Sequence, residues 1–519
     1  MVITQIDLAQ IVAQASSLSE RLRIESLTPD VTQVNEPQRA DRILTRWCEV
    51  VAQGNWEKFQ KRLLWDGLEL DRVSRVLRSH PTVGDRTLPT WAETLKEIIQ
   101  TAHSFVNHQL QKTNQPLPID KNNPILFAEI LLPAIFVARQ KLLTHLGFTS
   151  LSPDNLPLEL LSESAYLTLE RSLLDKLLNL SGKTLEYEFT RSRPLGQTIL
   201  NVLGQSSTDK AQIKVQYDAF VQKLLQDGLL TFFQTYPVLG RLMAVAIDFW
   251  VEATAAFLQS LKADLLEIKQ IFKPEQSSER ELGITNDGLG KVIEIQSSLS
   301  DPHNGGTTVI AITFECGLKL VYKPKDLGAE AAYTQFLDWC DRQDIPLPFK
   351  VLKVCDRKTY GWVEYVEHLP CEDEAAAQRF YQRAGMLLCL LYALRVVDCH
   401  RENLIANGEH LVLIDMETLM HQEVNLIAEL PEATAAEASV TLQLSESVLR
   451  TGLLPRWEFS KDNRLAYDVS ALGGIDEQLI AKEQNQGSRG AEEQGSRGEL
   501  PITDTCKCSD VKWDSPLPQ

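Results

Sequence analysis

The sequence is poor in cysteine and has no long apolar run. Nine cysteines are scattered over 519 residues, so we expect free thiols in a reducing compartment and no disulfide scaffold. No stretch offers about 18 uninterrupted apolar residues, which predicts that no segment spans a membrane. The amino terminus, MVITQIDLAQ, lacks a cationic region and is not a signal peptide. These absences together predict a cytoplasmic protein.

Basic residues are also fewer than acidic ones. The chain carries 52 Lys and Arg against 70 Asp and Glu, a formal net charge of −18. Such a surface repels the phosphates of nucleic acids, so we expect no nucleic-acid partner. The sequence contains no G-x-S-x-G, H-E-x-x-H or Walker A pattern, which removes three common sources of catalytic residues. A small basic pocket for a phosphorylated ligand is still compatible with this charge balance.

Hydrophobic periodicity divides the chain into three parts. Apolar residues recur at helical spacing over 1–280, which predicts a helical region, most simply a scaffold but alternatively a recognition surface. Short β-branched segments then predict strands over 281–476, so the expected fold class is α+β. From 477 to 519 the segment QGSRG occurs twice in a Gln-, Gly- and Glu-rich tract. We expect this tail to be disordered.

The most informative segment is VVDCHRENLIANGEHLVLIDMETL, residues 396–419. Asp398 and Asn403 are five residues apart after an apolar helix, and Asp415 ends a strand twelve residues later. Phosphoryl-transfer enzymes use these groups in this order: a carboxylate at the attacking hydroxyl, an amide on Mg²⁺, and a second carboxylate on Mg²⁺. His400 and Glu417 add polar groups at the same place. The alternative interpretation is a solvated turn between a helix and a hairpin.

A lysine precedes this segment at the position that a kinase-like fold would require. Lys323 ends the predicted strand LKLVYK, 75 residues before Asp398, and predicts a phosphate contact. A lysine at a strand end is otherwise an ordinary surface charge. Lys325 is a weaker candidate because Pro324 redirects the chain. Glu330, early in the next predicted helix, could pair with the lysine, although a Glu near a helix amino terminus is favourable without any partner.

The loop SSLSDPHNGGTTV, residues 297–309, lies between two predicted strands. Gly305 and Gly306 would let backbone amides approach phosphates, as glycine-rich loops do. Because the pattern is not G-x-G-x-x-G, a plain hairpin loop explains it equally well. Asp301 and His303 are the polar members that could touch a bound ligand.

Several blocks resemble the dehydratase domain of class II lanthipeptide synthetases of the LanM type. They are SDPHNGGTTV, LVYKPKDLGAEAAYTQFL, VVDCHRENLI, LVLIDMETL, SVLRTGLLPRW and YDVSALGG. The resemblance covers roughly residues 120–476 and implies a helical region followed by a lipid-kinase-like, two-lobed catalytic core. Such enzymes use ATP and Mg²⁺ to phosphorylate Ser and Thr of a ribosomal precursor peptide and then eliminate phosphate. A separate zinc cyclase domain follows in that family.

The resemblance assigns roles to individual positions. Lys323, Asp301 and His303 match residues that contact the nucleotide phosphates or line the preceding polar loop. The catalytic set comprises Asp398, His400, Asn403 and Glu417. The implied metal ligands are Asn403 and Asp415.

The family pattern stops near Gly474. We find neither the R-x-x-R-P-T-like segment that serves elimination nor the Cys and His ligands of the cyclase, so no zinc is expected. We therefore expect a truncated synthetase with an incomplete core, impaired in dehydration, whose missing part a separate chain could carry. The alternatives are an inactive fragment or peptide-binding module, a kinase acting on another substrate, and, for the tail, a natural carboxyl terminus.

Overall fold

The computed structural model describes residues 3–23, 37–78, 88–107, 116–119, 125–193, 210–272, 288–420, 443, 446–455, 457–459, 466–468 and 470–472. The predicted disordered tail over 477–519 lies outside these residues. Backbone contacts divide the chain into two units. The first comprises Met1–Leu265 and Asn286–Gly317, and the second comprises Leu266–Thr285 and Leu318–Gln519. The domain division predicted from the sequence, at residues 280 and 476, stays a prediction.

Helices dominate the first unit, as the 3.6-residue periodicity predicts. In chain order they are α1 (Gln5–Ala15), α2 (Leu18–Arg23), α3 (Pro37–Ala52), α4 (Trp56–Trp65), α5 (Leu70–Arg78), α6 (Thr90–Asn107), α7 (Ala128–His145), α8 (Leu156–Leu160), α9 (Glu163–Ser192), α10 (Lys210–Lys223), a π-helical turn (Leu224–Gly228), α11 (Leu229–Thr235) and α12 (Pro237–Phe272), whose end enters the second unit.

Side-chain caps fix where several of these helices begin. Thr4 accepts from the backbone N–H of Asp7, whose carboxylate accepts from the N–H of Thr4, which is a capping box at the start of α1. Ser162 accepts from the N–H of Ala165 and starts α9. Helix α7 packs between α6 and α9, and the buried faces of these helices form the core of the unit.

One helix among the described residues is long and apolar enough to cross a membrane. It is α12, and 50% of its most apolar window is buried inside the protein. Arg241 on this helix pairs with Glu20, and Asp248 pairs with Lys141. A core helix of a soluble protein meets the same criteria, so α12 is weak evidence for a span. The absence of a membrane span and the cytoplasmic location stay predictions.

Two antiparallel strands complete the first unit. β1 (Val292–Gln296) pairs with β2 (Ile310–Phe314), with Ile295 opposite Ile312. The N–H of Ser162 donates to the carbonyl of Val292 over 2.8 Å, which fixes the start of α9 against this hairpin. The connection between β1 and β2 contains the predicted glycine-rich loop.

The second unit is built from short strands and two helices. Its elements are β3 (Lys319–Lys323), α13 (Gly328–Asp341), β4 (Val354–Asp356), β5 (Gly361–Glu364), α14 (Glu374–Ala393), β6 (Leu404–Asn407), β7 (His410–Leu413), a 3-10 turn (Val448–Thr451), β8 (Trp457–Phe459) and β9 (Ala466–Asp468). β5 pairs with β3 on one side and β4 on the other, and β6 and β7 form a hairpin, all antiparallel. The mixture of helices and antiparallel strands confirms the α+β class.

The core of the second unit lies directly behind the segment that the sequence predicts to be catalytic. Helices α13 and α14 contribute Leu337 and Leu391, and the predicted segment contributes Cys399 and Met416, all buried in one cluster. Burial of these apolar side chains fixes the backbone on which the intervening polar residues stand.

Candidate functional site

The first part of the site is a buried lysine at the end of β3. Lys323 lies opposite Gly361 of β5 and is only 8% exposed. Its Nζ donates to the carbonyl of Ile414 over 2.5 Å and lies 3.5 Å from Oε1 of Glu330 on α13. Burial lowers the pKa of Lys323, and the Glu330 carboxylate opposes this effect. The predicted pairing of Lys323 with Glu330 is therefore present, although the distance is long for an ion pair.

The second part is a pair of carboxylates that face one ammonium group. Nζ of Lys325 lies 3.0 Å from Oδ1 of Asp415 and 2.9 Å from Oε1 of Glu417. The N–H of Glu417 also donates to Oδ1 of Asp415 over 3.2 Å. Burial alone would raise the pKa of Asp415, but the charge and hydrogen bond of Lys325 outweigh it and lower this pKa. The carboxylate of Asp415 is thus held in its ionised form.

The third part is the loop after α14. Nε2 of His400 lies 3.2 Å from Oδ1 of Asp398, and Nδ1 of His400 accepts from the N–H of Glu402 over 3.2 Å. Because Nδ1 accepts, the ring proton of a neutral His400 is on Nε2 and points at Asp398. The amide of Asn403 donates to the other oxygen of Asp398 over 3.3 Å. Both oxygens of this carboxylate are therefore oriented by neighbouring side chains.

Distant backbone bonds hold this loop in place. Asp398 has a left-handed backbone, with φ of 66°, which costs free energy unless the surroundings impose it. The N–H of Cys399 donates to the carbonyl of Thr451 over 2.7 Å, and the N–H of Ile414 donates to the carbonyl of Asn403 over 2.9 Å. Gly452 adjoins the loop so closely that a Cβ there would lie 3.2 Å from the nitrogen of Cys399.

The chemistry of the acidic pair fits a divalent cation that also binds phosphate. Asp415 and Glu417 already converge on the positive charge of Lys325, so their oxygens surround a position suited to a cation. Among the described residues, no group of three or more His, Cys, Asp or Glu could hold a metal ion. Mg²⁺ commonly takes one or two carboxylates and fills its other positions with phosphate oxygens and water. Asn403 is bonded through its backbone to the residue before Asp415, which suits the predicted role of both as ligands.

The predicted loop residues belong to the other unit. Asp301 and His303 lie between β1 and β2, where the N–H of His303 donates to the carbonyl of Thr307 over 2.9 Å. The remaining predicted residues all lie in the second unit. The roles of Asp301 and His303 therefore stay predictions.

From the sequence alone, Lys325 ranks below Lys323, and residues 447–453 are assigned no contact with the predicted catalytic segment. Pro324 argued against Lys325, yet both lysine ammonium groups lie 3.5 Å from Oε1 of Glu330. Lys325 lies in a bend after the end of β3, and its carboxylate partners Asp415 and Glu417 are far away in the sequence, so no local pattern identified these contacts. Thr451 contributes through its backbone carbonyl, and such bonds leave no side-chain pattern.

Two comparisons with known proteins found similarities. Residues 236–494 match the family described as "Domain of unknown function (DUF4135)", and this range includes every predicted site residue. The chain is also 34% identical over 179 residues to the lacticin 481/lactococcin biosynthesis protein LcnDR2 of Lactococcus lactis subsp. lactis. That similarity covers 32% of this chain and 19% of the relative. Over this part of its length, the chain is homologous to a LanM-type protein of lantibiotic biosynthesis.

Proposed function

We propose that this protein acts in lanthipeptide biosynthesis and transfers phosphate from ATP to Ser and Thr of a ribosomal precursor peptide. One observation carries the proposal. The second unit brings the Lys323–Glu330 pair, the Asp398–Asn403 pair and Asp415 together around one hairpin. These groups, in this order along the chain, are those that protein kinases use for phosphoryl transfer. The homology to a lacticin 481 biosynthesis protein supports a precursor peptide as the phosphate acceptor.

Each residue has a role that follows from its contacts. Asp398 would accept the hydroxyl proton of the substrate, since His400 and Asn403 orient its two oxygens and leave a lone pair on each. Lys323 would contact the nucleotide phosphates, because its ammonium is held by a carbonyl and one distant carboxylate. A Ser hydroxyl is a poor nucleophile near neutral pH, so holding it beside Asp398 supplies much of the rate enhancement.

The metal site in this proposal uses residues already positioned by the fold. Asp415 and Asn403 would hold Mg²⁺, and Glu417 would complete the acidic pair beside it. When bound, Mg²⁺·ATP supplies the phosphoryl group and neutralises its negative charge. Asp301 and His303 enter the proposal as nucleotide-binding residues through the resemblance of their segment alone. The lipid-kinase-like core is part of the same proposal.

The proposal extends to phosphoryl transfer and not to the elimination that would complete dehydration. Elimination needs a base for the α-proton and a cationic partner for the departing phosphate. Among the described residues we assign no such set. The expected product is therefore a phosphorylated peptide. The matched region spans 19% of the lacticin 481 biosynthesis protein, so the further steps of such a pathway are not assigned to this chain.

Mass spectrometry of a lanthipeptide precursor incubated with the protein, ATP and Mg²⁺ tests the proposal. We expect addition of phosphoryl groups to Ser or Thr. Asp398→Asn keeps a residue that tolerates positive φ but removes the proton acceptor, so transfer should fall about 10²- to 10⁴-fold. Asp338→Asn is the matched control, since Asp338 is 56% exposed and pairs with Arg342 on α13. Equal transfer by both variants would contradict the assignment of Asp398, and an unmodified precursor would contradict the proposed function.

A further inference from the structure

We infer that Lys325 is a positioning residue that occupies the cation position of the acidic pair until a divalent ion displaces it. The inference rests on the proposed function for the identity of the displacing ion. It adds a residue outside the set implied by the resemblance and gives it a specific task. In this view the ammonium of Lys325 and the metal compete for the same carboxylate oxygens.

The contacts of Lys325 support this competition. Its Nζ lies 3.0 Å from Asp415, 2.9 Å from Glu417 and 3.5 Å from Glu330, so it meets three carboxylates at once. Side-chain exposure is 28% for Lys325, which leaves a route for the ammonium to move. A lysine ammonium suits this position because it has three N–H donors and a flexible aliphatic stem.

The neighbouring lysine cannot take over the same task while its own bond persists. Lys323 donates to the carbonyl of Ile414 over 2.5 Å, and its contact with Glu330 is long at 3.5 Å. Glu330 is thus shared by both lysines. A backbone carbonyl holds Lys323, whereas Lys325 is held by carboxylates. A divalent cation would bind these carboxylates more strongly than the ammonium of Lys325 does.

Electrostatics makes simultaneous occupancy unfavourable. Mg²⁺ binds carboxylate oxygens at about 2.0–2.1 Å, closer than an ammonium, and it carries twice the charge. A monovalent and a divalent cation on the same oxygens repel each other strongly in a partly buried site. The ammonium must therefore leave the acidic pair when the metal arrives. The anionic phosphates of a nucleotide would then stabilise it at its new position.

Two functions follow from this arrangement. Without metal, the positive charge of Lys325 between Asp415 and Glu417 reduces the repulsion that would otherwise separate the two carboxylates. With metal, the displaced ammonium favours a phosphorylated ligand. Binding of metal without nucleotide is consequently weakened, and binding of the two together is favoured.

A Mn²⁺ titration followed by electron paramagnetic resonance tests this inference on the full chain without nucleotide. We expect Lys325→Met to bind Mn²⁺ about tenfold more tightly than the natural protein, which corresponds to about 1.4 kcal/mol. Lys325→Ala should change the affinity in the same direction. The matched control is Lys319→Met, because Lys319 lies on β3, six residues before Lys325, and pairs with Glu367 instead. This control should leave the Mn²⁺ affinity unchanged.

Four further outcomes decide the interpretation. Asp415→Asn should abolish the Mn²⁺ binding that Lys325→Met strengthens, and retention of that binding would overturn the inference. Unchanged or weaker Mn²⁺ binding by both Lys325 variants would also overturn it, as would absence of binding in every variant. Tighter binding without any phosphoryl transfer would support the role of Lys325 and contradict the proposed function. The two failures are therefore distinguishable.

Discussion

Each unit contains a buried ion pair, and the two pairs are built differently. In the first unit, Arg139 donates to both oxygens of Glu170, over 2.6 and 2.5 Å, and the two side chains are 4% and 0% exposed. Arg139 also donates to the carbonyl of Pro116 over 2.9 Å. In the second unit, Lys323 and Glu330 are nearly as buried but lie 3.5 Å apart.

The difference separates a pair whose carboxylate oxygens are both bonded from a pair joined by one long contact. Two parallel hydrogen bonds from a guanidinium satisfy both oxygens of Glu170, so the pair needs no further partner. Lys323 instead divides its donors between a carbonyl and one distant oxygen of Glu330. An incompletely paired buried cation is costly, and the phosphate contact proposed for Lys323 would offset that cost.

The largest expected effect comes from breaking the close pair. Arg139→Met leaves the Glu170 carboxylate buried without its partner, which should lower the free energy of unfolding by about 3–5 kcal/mol. Chemical denaturation of the natural protein and the variant measures this difference.

Replacing both members gives the control for that experiment. An Arg139→Met, Glu170→Met protein removes the unpaired charge, so it should recover most of the stability lost in the single variant. A single variant that unfolds within about 1 kcal/mol of the natural protein, a typical effect of a surface substitution, would show that the close pair contributes little.

A smaller effect of a different kind is expected from the loose pair. Glu330→Gln keeps the shape of the side chain but removes the anion shared by Lys323 and Lys325. We expect phosphoryl transfer to fall about 10²-fold, equivalent to about 2.7 kcal/mol, because both lysines lose the carboxylate that orients their ammonium groups. The stability should fall by only about 1 kcal/mol, since the pair is long and incompletely formed.

Transfer rates and unfolding curves must therefore be measured on the same preparation. Asp338→Asn on the exposed face of α13 serves again as control, with no change expected in either quantity. A Glu330→Gln protein that is strongly destabilised but transfers phosphate normally would remove the contrast between the two pairs.

The sequence was sufficient to identify groups whose order along the chain carries chemical meaning. Asp398, Asn403 and Asp415 were predicted because phosphoryl transfer needs a carboxylate, an amide and a second carboxylate at fixed spacing. The amide of Asn403 does contact Asp398, and the roles of the three residues stay predictions. The α+β class followed from the change of periodicity near residue 280. The Arg139–Glu170 pair could not be predicted, because its members are 31 residues apart and each is common on exposed helix faces.

Other features depend on tertiary contacts that leave no local pattern. The left-handed backbone of Asp398 is fixed partly by the bond from Cys399 to the carbonyl of Thr451. A carbonyl is present in every residue, so nothing in the sequence distinguishes Thr451 from its neighbours. Lys325 illustrates the same limit, because its partners Asp415 and Glu417 are 90 and 92 residues away in the sequence.

The smallest effect is expected from a third pair, which is close but partly exposed. Arg241 donates to both oxygens of Glu20, each over 2.6 Å, and 43% of the Glu20 side chain is accessible to solvent.

The hydrogen bonds from Arg241 lower the pKa of Glu20 from 4.5 to about 2. The folded state thus binds a proton at Glu20 less readily than the unfolded chain does, and the stabilisation present above pH 4.5 is lost as the pH falls towards 2. Because solvent screens an exposed pair, we expect the contribution to be at most about 1 kcal/mol. Unfolding curves between pH 5 and 2 should therefore differ only slightly between the natural protein and Glu20→Gln, and the difference should shrink at the acidic end. A difference as large as that expected for Arg139→Met would mean that close bidentate geometry, rather than burial, distinguishes the Arg139–Glu170 pair from the Lys323–Glu330 pair.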